Sequence, residues 1–127
     1  MTVQLNHLIV FCSNAKRSAA FLADILGLAP ARAFSVFQVV DLDNGVSLDF
    51  DELDTPIQPS HYAFLIGEKQ FDQVFARISE RELTYWADPG KRQAGRINHH
   101  DGGRGLYFED PDYHLLEVIT RPYGSGG

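Results

Sequence analysis

Apolar residues along the chain fall first into strand-like runs and then into helical spacing, and this order occurs twice. Residues 6–12, Asn-His-Leu-Ile-Val-Phe-Cys, are rich in strand formers and stop at Ser13 and Asn14, which make a good helix N-cap. Ser18, Phe21, Leu22 and Ile25 then recur at helical spacing, and Gly27 stands where a left-handed cap ends a helix. Residues 34–41 and 46–50 read as two strands joined through Asp43, Asn44 and Gly45, an Asn-Gly hairpin signal. The order restarts with a strand over 61–66. Phe71, Val74, Phe75 and Ile78 follow at i, i+3, i+4 and i+7, an amphipathic helix. Residues 83–87 read as a strand, and 104–109 and 114–120 pair around the turn Asp110-Pro111-Asp112-Tyr113.

The two copies can be set in register. His7 and His61 each open the first strand of their unit, and Phe21 and Phe75 each lie fourteen residues later. Asp41-Leu42-Asp43 matches Asp110-Pro111-Asp112. An internal period of roughly 55 residues with mixed elements indicates a duplicated module rather than a solenoid. The expected organisation is one domain: module one over 4–51, a polar linker over 52–59 containing Pro56 and Pro59, module two over 60–121, and a flexible tail over 122–127 with nothing to hold it. Residues 89–103 form a long glycine-rich loop, and loops of that length in a small domain are more often functional or mobile than idle.

Composition narrows the function classes. The chain has 127 residues, enough for an ordinary apolar core, and a formal net charge of -6. That balance argues against a nucleic-acid partner, which needs a clustered basic face. Apolar runs are too short for a membrane span, and no charged, apolar-cored leader precedes the first strand. The single cysteine, Cys12, excludes an intramolecular disulfide and reads as a buried thiol in a reducing compartment. A cytoplasmic protein is the expectation.

Three residues stand out for chemistry. Glu117 interrupts the apolar run Leu115-Leu116-Glu117-Val118-Ile119, and a carboxylate there needs an arginine, water or a metal ion to compensate it. His7 lies among Leu5, Leu8, Ile9 and Val10, and His61 precedes Tyr-Ala-Phe-Leu-Ile. Taken alone, each strand histidine reads as a satisfied core or edge residue, and a lone strand glutamate as a solvated one. Their recurrence at one repeat position changes that weighing. Two imidazoles and a carboxylate are the ligand types of a 2-His-1-carboxylate metal site.

On these residues the chain resembles the vicinal oxygen chelate superfamily of glyoxalase I, bleomycin-resistance proteins, fosfomycin-resistance thiol transferases and extradiol dioxygenases. The matching stretches are Asn6-His7-Leu8, the helix through Ala20-Phe21, the strand at 61–65 and, most specifically, Tyr-Phe-Glu-Asp-Pro-Asp-Tyr-His-Leu-Leu-Glu at 107–117. The resemblance implies an α+β fold of two βαβββ modules forming a curled mixed sheet around a cavity. It places divalent-metal ligands at His7, His61 and Glu117. Three protein ligands leave positions open, as catalytic metals require, and the N and O donors suit Fe2+, Mn2+, Zn2+ or Ni2+. A small oxygenated substrate would chelate the ion, in a dioxygenase, thiol transferase or lyase/isomerase reaction. The resemblance also implies a homodimer whose cavities take His7 from one chain and His61 with Glu117 from the other. The rival reading is a metal-free protein that sequesters a small molecule or antibiotic, of the bleomycin-resistance type.

Counting from the matched Asp-x-Asp turns, Leu48 takes the place that Glu117 holds in module two, where glyoxalase I has a fourth ligand. Leucine cannot ligate, and Asp49 is expected on the opposite face of the strand unless the register slips. Tyr107 is the candidate catalytic residue, as a hydrogen-bond donor to bound oxygen or, equally, a core aromatic. Tyr62 is expected to face away from the cavity, and His114 to be structural or exposed. Trp86, Asn98, His99, His100 and Arg104 border the glycine-rich loop as a candidate substrate rim. If the turn keeps the shape that the family's Asp-Pro-Asp-Gly adopts, Tyr113 takes a positive φ, strained for a bulky residue.

Overall fold

A computed structural model describes residues 2–126, with compact units Met1–Gln58 and Pro59–Gly127. Unit one contains β1 (His7–Cys12), α1 (Ala15–Leu26), β2 (Arg32–Phe34), β3 (Phe37–Asp41) and β4 (Ser47–Glu52). Unit two contains β5 (His61–Leu65), α2 (Glu68–Glu80), β6 (Tyr85–Trp86), β7 (Gly105–Glu109) and β8 (Leu115–Ile119). Each is a βαβββ module with a four-stranded mixed sheet, ordered β1-β4-β3-β2 in unit one and β5-β8-β7-β6 in unit two. The first strand of each unit pairs in parallel with its last, and the remaining pairs are antiparallel.

Local chemistry accounts for the helix ends. Asn14 is the N-cap of α1, its side-chain oxygen accepting the Arg17 N–H at 3.0 Å. Gly27 ends the helix at φ 70°, a left-handed conformation that glycine enters without a Cβ penalty. The helix buries Ser18, Ala19, Leu22 and Ile25 in a core completed by Val10, Val39, Val40, Leu48 and Phe50. In unit two, α2 buries Phe71, Val74 and Ile78, and the sheet buries Leu106, Phe108, Leu116 and Val118. Cys12 is fully buried, as its apolar surroundings predicted.

The expected strand over 34–41 is two strands. Ser35 has φ 54° and opens a two-residue turn, which folds β2 back on β3 with Phe34 opposite Phe37. The expected strand over 83–87 shrinks to Tyr85–Trp86, because the Ala87 N–H turns to Gln93 O in the loop, at 3.1 Å. Tyr113 does take a positive φ, 67°, with its ring out in solvent. The Asp110 carboxylate steadies the turn by accepting the N–H groups of Asp112 and His114, each at 2.9 Å. His114 is buried, its Nδ1 accepting the Ser60 N–H at 2.9 Å, so its role is structural.

Residues 122–126 are held, contrary to expectation. Asp101 Oδ2 accepts the Gly124 N–H at 3.0 Å and Oδ1 accepts the Gly126 N–H at 2.9 Å. A Cβ at residue 126 would overlap the backbone of Asp101, so glycine is what lets this segment dock. Met1 and Gly127, the ends of the expected domain and tail, lie outside the described residues.

Candidate metal centre and cavity

Ladder register assembles the site of unit two. Glu117 on β8 lies opposite Ala63 of parallel β5 and opposite Tyr107 of antiparallel β7. His61 lies opposite Leu115, so strand alternation puts His61, Tyr107 and Glu117 on one face and the buried Leu116 and Val118 on the other. This explains how a carboxylate sits in an apolar run: the run belongs to two faces.

His61 Nδ1 is 2.9 Å from the Leu115 carbonyl oxygen, which can only accept, so Nδ1 carries the proton. In the neutral ring Nε2 therefore presents its lone pair to Glu117 Oε1, 3.1 Å away. Two acceptors at that separation repel unless a second proton or a cation lies between them. Nitrogen and oxygen ligands each about 2.1 Å from one ion and at right angles to it stand about 3 Å apart, which matches this spacing. A metal-binding histidine ordinarily donates its other ring N–H to a carbonyl or carboxylate, as His61 does. The residues present fit a divalent ion. The side chain of Glu117 is only 12% exposed whereas that of His61 is 48% exposed, so the carboxylate is largely desolvated while the imidazole remains reachable.

Tyr107 is buried, with its ring stacked on that of His61 at 5.9 Å between centroids and its hydroxyl donating to Glu117. Burial, then that hydrogen bond and the carboxylate's charge, push its phenol up from 10.0 to about 12. It stays a neutral donor across the physiological range. The raised value gives a pH prediction for chelator-treated protein. The contribution of Tyr107 to folding stability is fully present below pH 10 and is lost as the pH rises through about 12, because the unfolded chain gives up that proton first. Ultraviolet titration should show a late-ionising phenol that Tyr107→Phe removes; an unchanged curve counts against the buried hydrogen bond.

The structure places His7 at the start of β1 in unit one, exposed, with Nδ1 2.7 Å from Asn6 Oδ1. Among the described residues, no three side chains of His, Cys, Asp or Glu gather at one point within the chain. His61 and Glu117 are brought together; a third partner is not.

Register also corrects the comparison of the two repeats. Asp41, the last residue of β3, lies opposite Ser47, and Glu109, the last of β7, lies opposite Leu115. Asp41 therefore corresponds to Glu109 and not to Asp110, so the count from the Asp-x-Asp turns is off by one. Ile9 lies opposite Asp49 just as Ala63 lies opposite Glu117. Asp49, not Leu48, is the unit-one counterpart of Glu117, and it shares the face of His7. It is 9% exposed and accepts a hydrogen bond from the Ser47 hydroxyl at 3.3 Å.

A cavity of about 440 Å3 opens beside Glu117 and Tyr107. Of the expected rim, Asn98, His100 and Arg104 line it, whereas Trp86 and His99 do not. Sequence reasoning missed Asp101, Ile119, Arg121, Tyr123 and Gly124 in this lining. Alternation beyond Glu117 was a usable signal for Ile119 and Arg121. No sequence signal marks Tyr123 and Gly124, which reach the cavity only because Asp101 holds their segment.

The likeness to known proteins agrees with this geometry. Residues 4–118 match the model of the Glyoxalase/Bleomycin resistance protein/Dioxygenase superfamily. A solved structure of the oxidase ChaP-H2 is 59% identical, with a TM-score of 0.97 and all of both chains covered. Glutathione transferase FosA of Serratia marcescens is 30% identical over 93% of this chain and 81% of its own length. Metallothiol transferase FosB of Lysinibacillus sphaericus (strain C3-41) is 29% identical over 94% of this chain and 84% of its own.

Proposed function

The chain belongs to the Glyoxalase/Bleomycin resistance protein/Dioxygenase superfamily, and on that premise we propose that it is a metal-dependent oxidase of the vicinal oxygen chelate type. Its substrate is a small oxygenated molecule. The observation that carries the reading is the facing pair of acceptors, His61 Nε2 and Glu117 Oε1, at 3.1 Å, with the opposite ring nitrogen fixed on the Leu115 carbonyl. Oxidation is favoured over thiol transfer by the 59% likeness to an oxidase along the whole chain, against 30% and 29% for the two transferases.

His61, Glu117 and His7 are the proposed ligands, with Fe2+, Mn2+, Zn2+ or Ni2+ as the candidate ions. Asp49, matched to Glu117 by register, is the carboxylate to test for a fourth position. The ion supplies Lewis-acid stabilisation of charge on the substrate's oxygens. The chain's own residues do the rest. Leu115 O holds the His61 ring in its ligating tautomer. Tyr107 keeps its proton and directs it at the Glu117 carboxylate, fixing the orientation of that proposed ligand at the end of the cavity where substrate oxygen would be bound. Ile119 and the buried Tyr107 ring give the cavity an apolar wall.

We further propose a cytoplasmic homodimer in which His7 reaches the His61–Glu117 pair of the partner chain. Among the described residues, no helix is long and apolar enough to cross a membrane. The test is elemental analysis of protein purified without added metal, with mass measurement in solution. About one divalent ion per chain in a dimer supports the proposal. Metal-free protein that binds none on titration sinks it and favours a sequestering protein.

A further inference from the structure

We propose that Arg121 makes the end of the unit-two cavity away from Glu117 an anion subsite, so that the site takes aromatic acids. Such a substrate carries chelating oxygens at one end of a flat ring system and a carboxylate at the other. The inference deepens the proposed function and rests on it for the oxygen-binding end alone.

Three observations converge. The first is spacing. Glu117, Ile119 and Arg121 are alternate residues that line one cavity. β8 ends at Ile119 and the chain bends over Thr120 and Arg121, so the backbones of Glu117 and Arg121 stand less than about 14 Å apart, within the reach of a small arene with its substituents.

The second is charge. Arg104 also lines the cavity, but its guanidinium is engaged: Nε donates to Glu68 Oε1 at 2.8 Å, Nη1 to Asp72 Oδ1 at 2.8 Å and Nη2 to Glu68 O at 3.1 Å. Both oxygens of Asp101 are engaged by the amides of Gly124 and Gly126. Among the described residues, the Arg121 guanidinium has neither an ion pair nor a hydrogen bond. An uncompensated guanidinium at a cavity wall is suited to bidentate carboxylate recognition. Its seat is built by Gly103: a Cβ there would come within 2.6 Å of Arg121 Cγ and 2.5 Å of Thr120 Oγ1.

The third is shape. Tyr107 lies against the Glu117 end with Ile119 beyond it, so a buried aromatic ring and an apolar side chain bound the space, while Tyr123, contributed by residues 122–126, stands 96% exposed at its edge. Tyr123 is there because Asp101 latches the segment from a left-handed backbone at φ 59°. Asp101 is thus a positioning residue, and Arg121 the residue that sets specificity.

The test compares two fluorescent probes with the same rings, 6-hydroxy-2-naphthoate and 2-naphthol, titrated into chelator-treated and zinc-loaded full chain at neutral pH. The carboxylate should bind at least about tenfold tighter, as one charge-assisted pair provides. Arg121→Gln should bring the two probes within about twofold while leaving 2-naphthol unchanged, which also shows that the cavity is intact; Arg121→Lys should restore part of the preference. Asp101→Asn should weaken both probes alike and speed amide hydrogen exchange at Gly124 and Gly126. Wild-type protein that binds neither probe or does not discriminate, or Arg121→Gln that keeps the preference, overturns the subsite. Faster exchange with both affinities unchanged overturns the positioning role of Asp101. A preference that survives in chelator-treated protein while zinc changes nothing faults the metal reading and leaves the subsite standing.

Discussion

Protein carrying Glu117→Gln or His61→Ala is expected to lose divalent metal, with affinity falling by more than about a hundredfold, beyond the 10- to 100-fold typical of losing an outer-shell partner. The two substitutions remove opposite halves of the same 3.1 Å pair, so their effects should match in size and fail to add in the double variant. Glu117→Gln keeps the shape but replaces one oxygen by an amide that donates, and that donor satisfies the His61 lone pair without any cation. The folded protein should therefore be as stable as wild type in the presence of chelator while losing its metal-dependent stabilisation. Competition against a chromogenic chelator, with thermal unfolding in parallel, reads both. Wild-type affinity in either variant would mean that the pair is an imidazolium–carboxylate ion pair and no metal site.

Phe71→Ala is expected to destabilise the protein by about 3–5 kcal/mol, the range for truncating a fully buried phenylalanine. Phe71 is among the largest fully buried side chains and packs edge-on to Phe75 at 6.3 Å. The Arg104 guanidinium lies 4.4 Å from its ring centroid while holding Glu68 and Asp72 of the same helix. Removing the ring leaves a void under α2 and loosens an arginine that lines the cavity. Urea unfolding gives the magnitude; a loss under 1 kcal/mol would mean that the surrounding core collapses into the gap.

Much of this molecule is legible in the order of its residues. Strand runs, the period of Phe71, Val74, Phe75 and Ile78, and the caps at Asn14 and Gly27 are local features, so short-range sterics and hydrogen bonding decide them. The repeat is legible too, since His7 and His61 each open the first strand of a βαβββ unit. Glu117 stands out because a carboxylate in an apolar run must be explained.

What only the tertiary structure decided is pairing at a distance. A parallel partner cannot be read from a strand's own residues, so the meeting of His61 with Glu117, 56 positions apart, appears only when β5 lies beside β8. Register decided Asp49 over Leu48, because hydrogen-bond ladders fix which residues face each other and similar turn motifs do not. The same holds for Asp101 and residues 122–126. Two amides and a missing Cβ make a seat, and such complementarity has no signature along a chain.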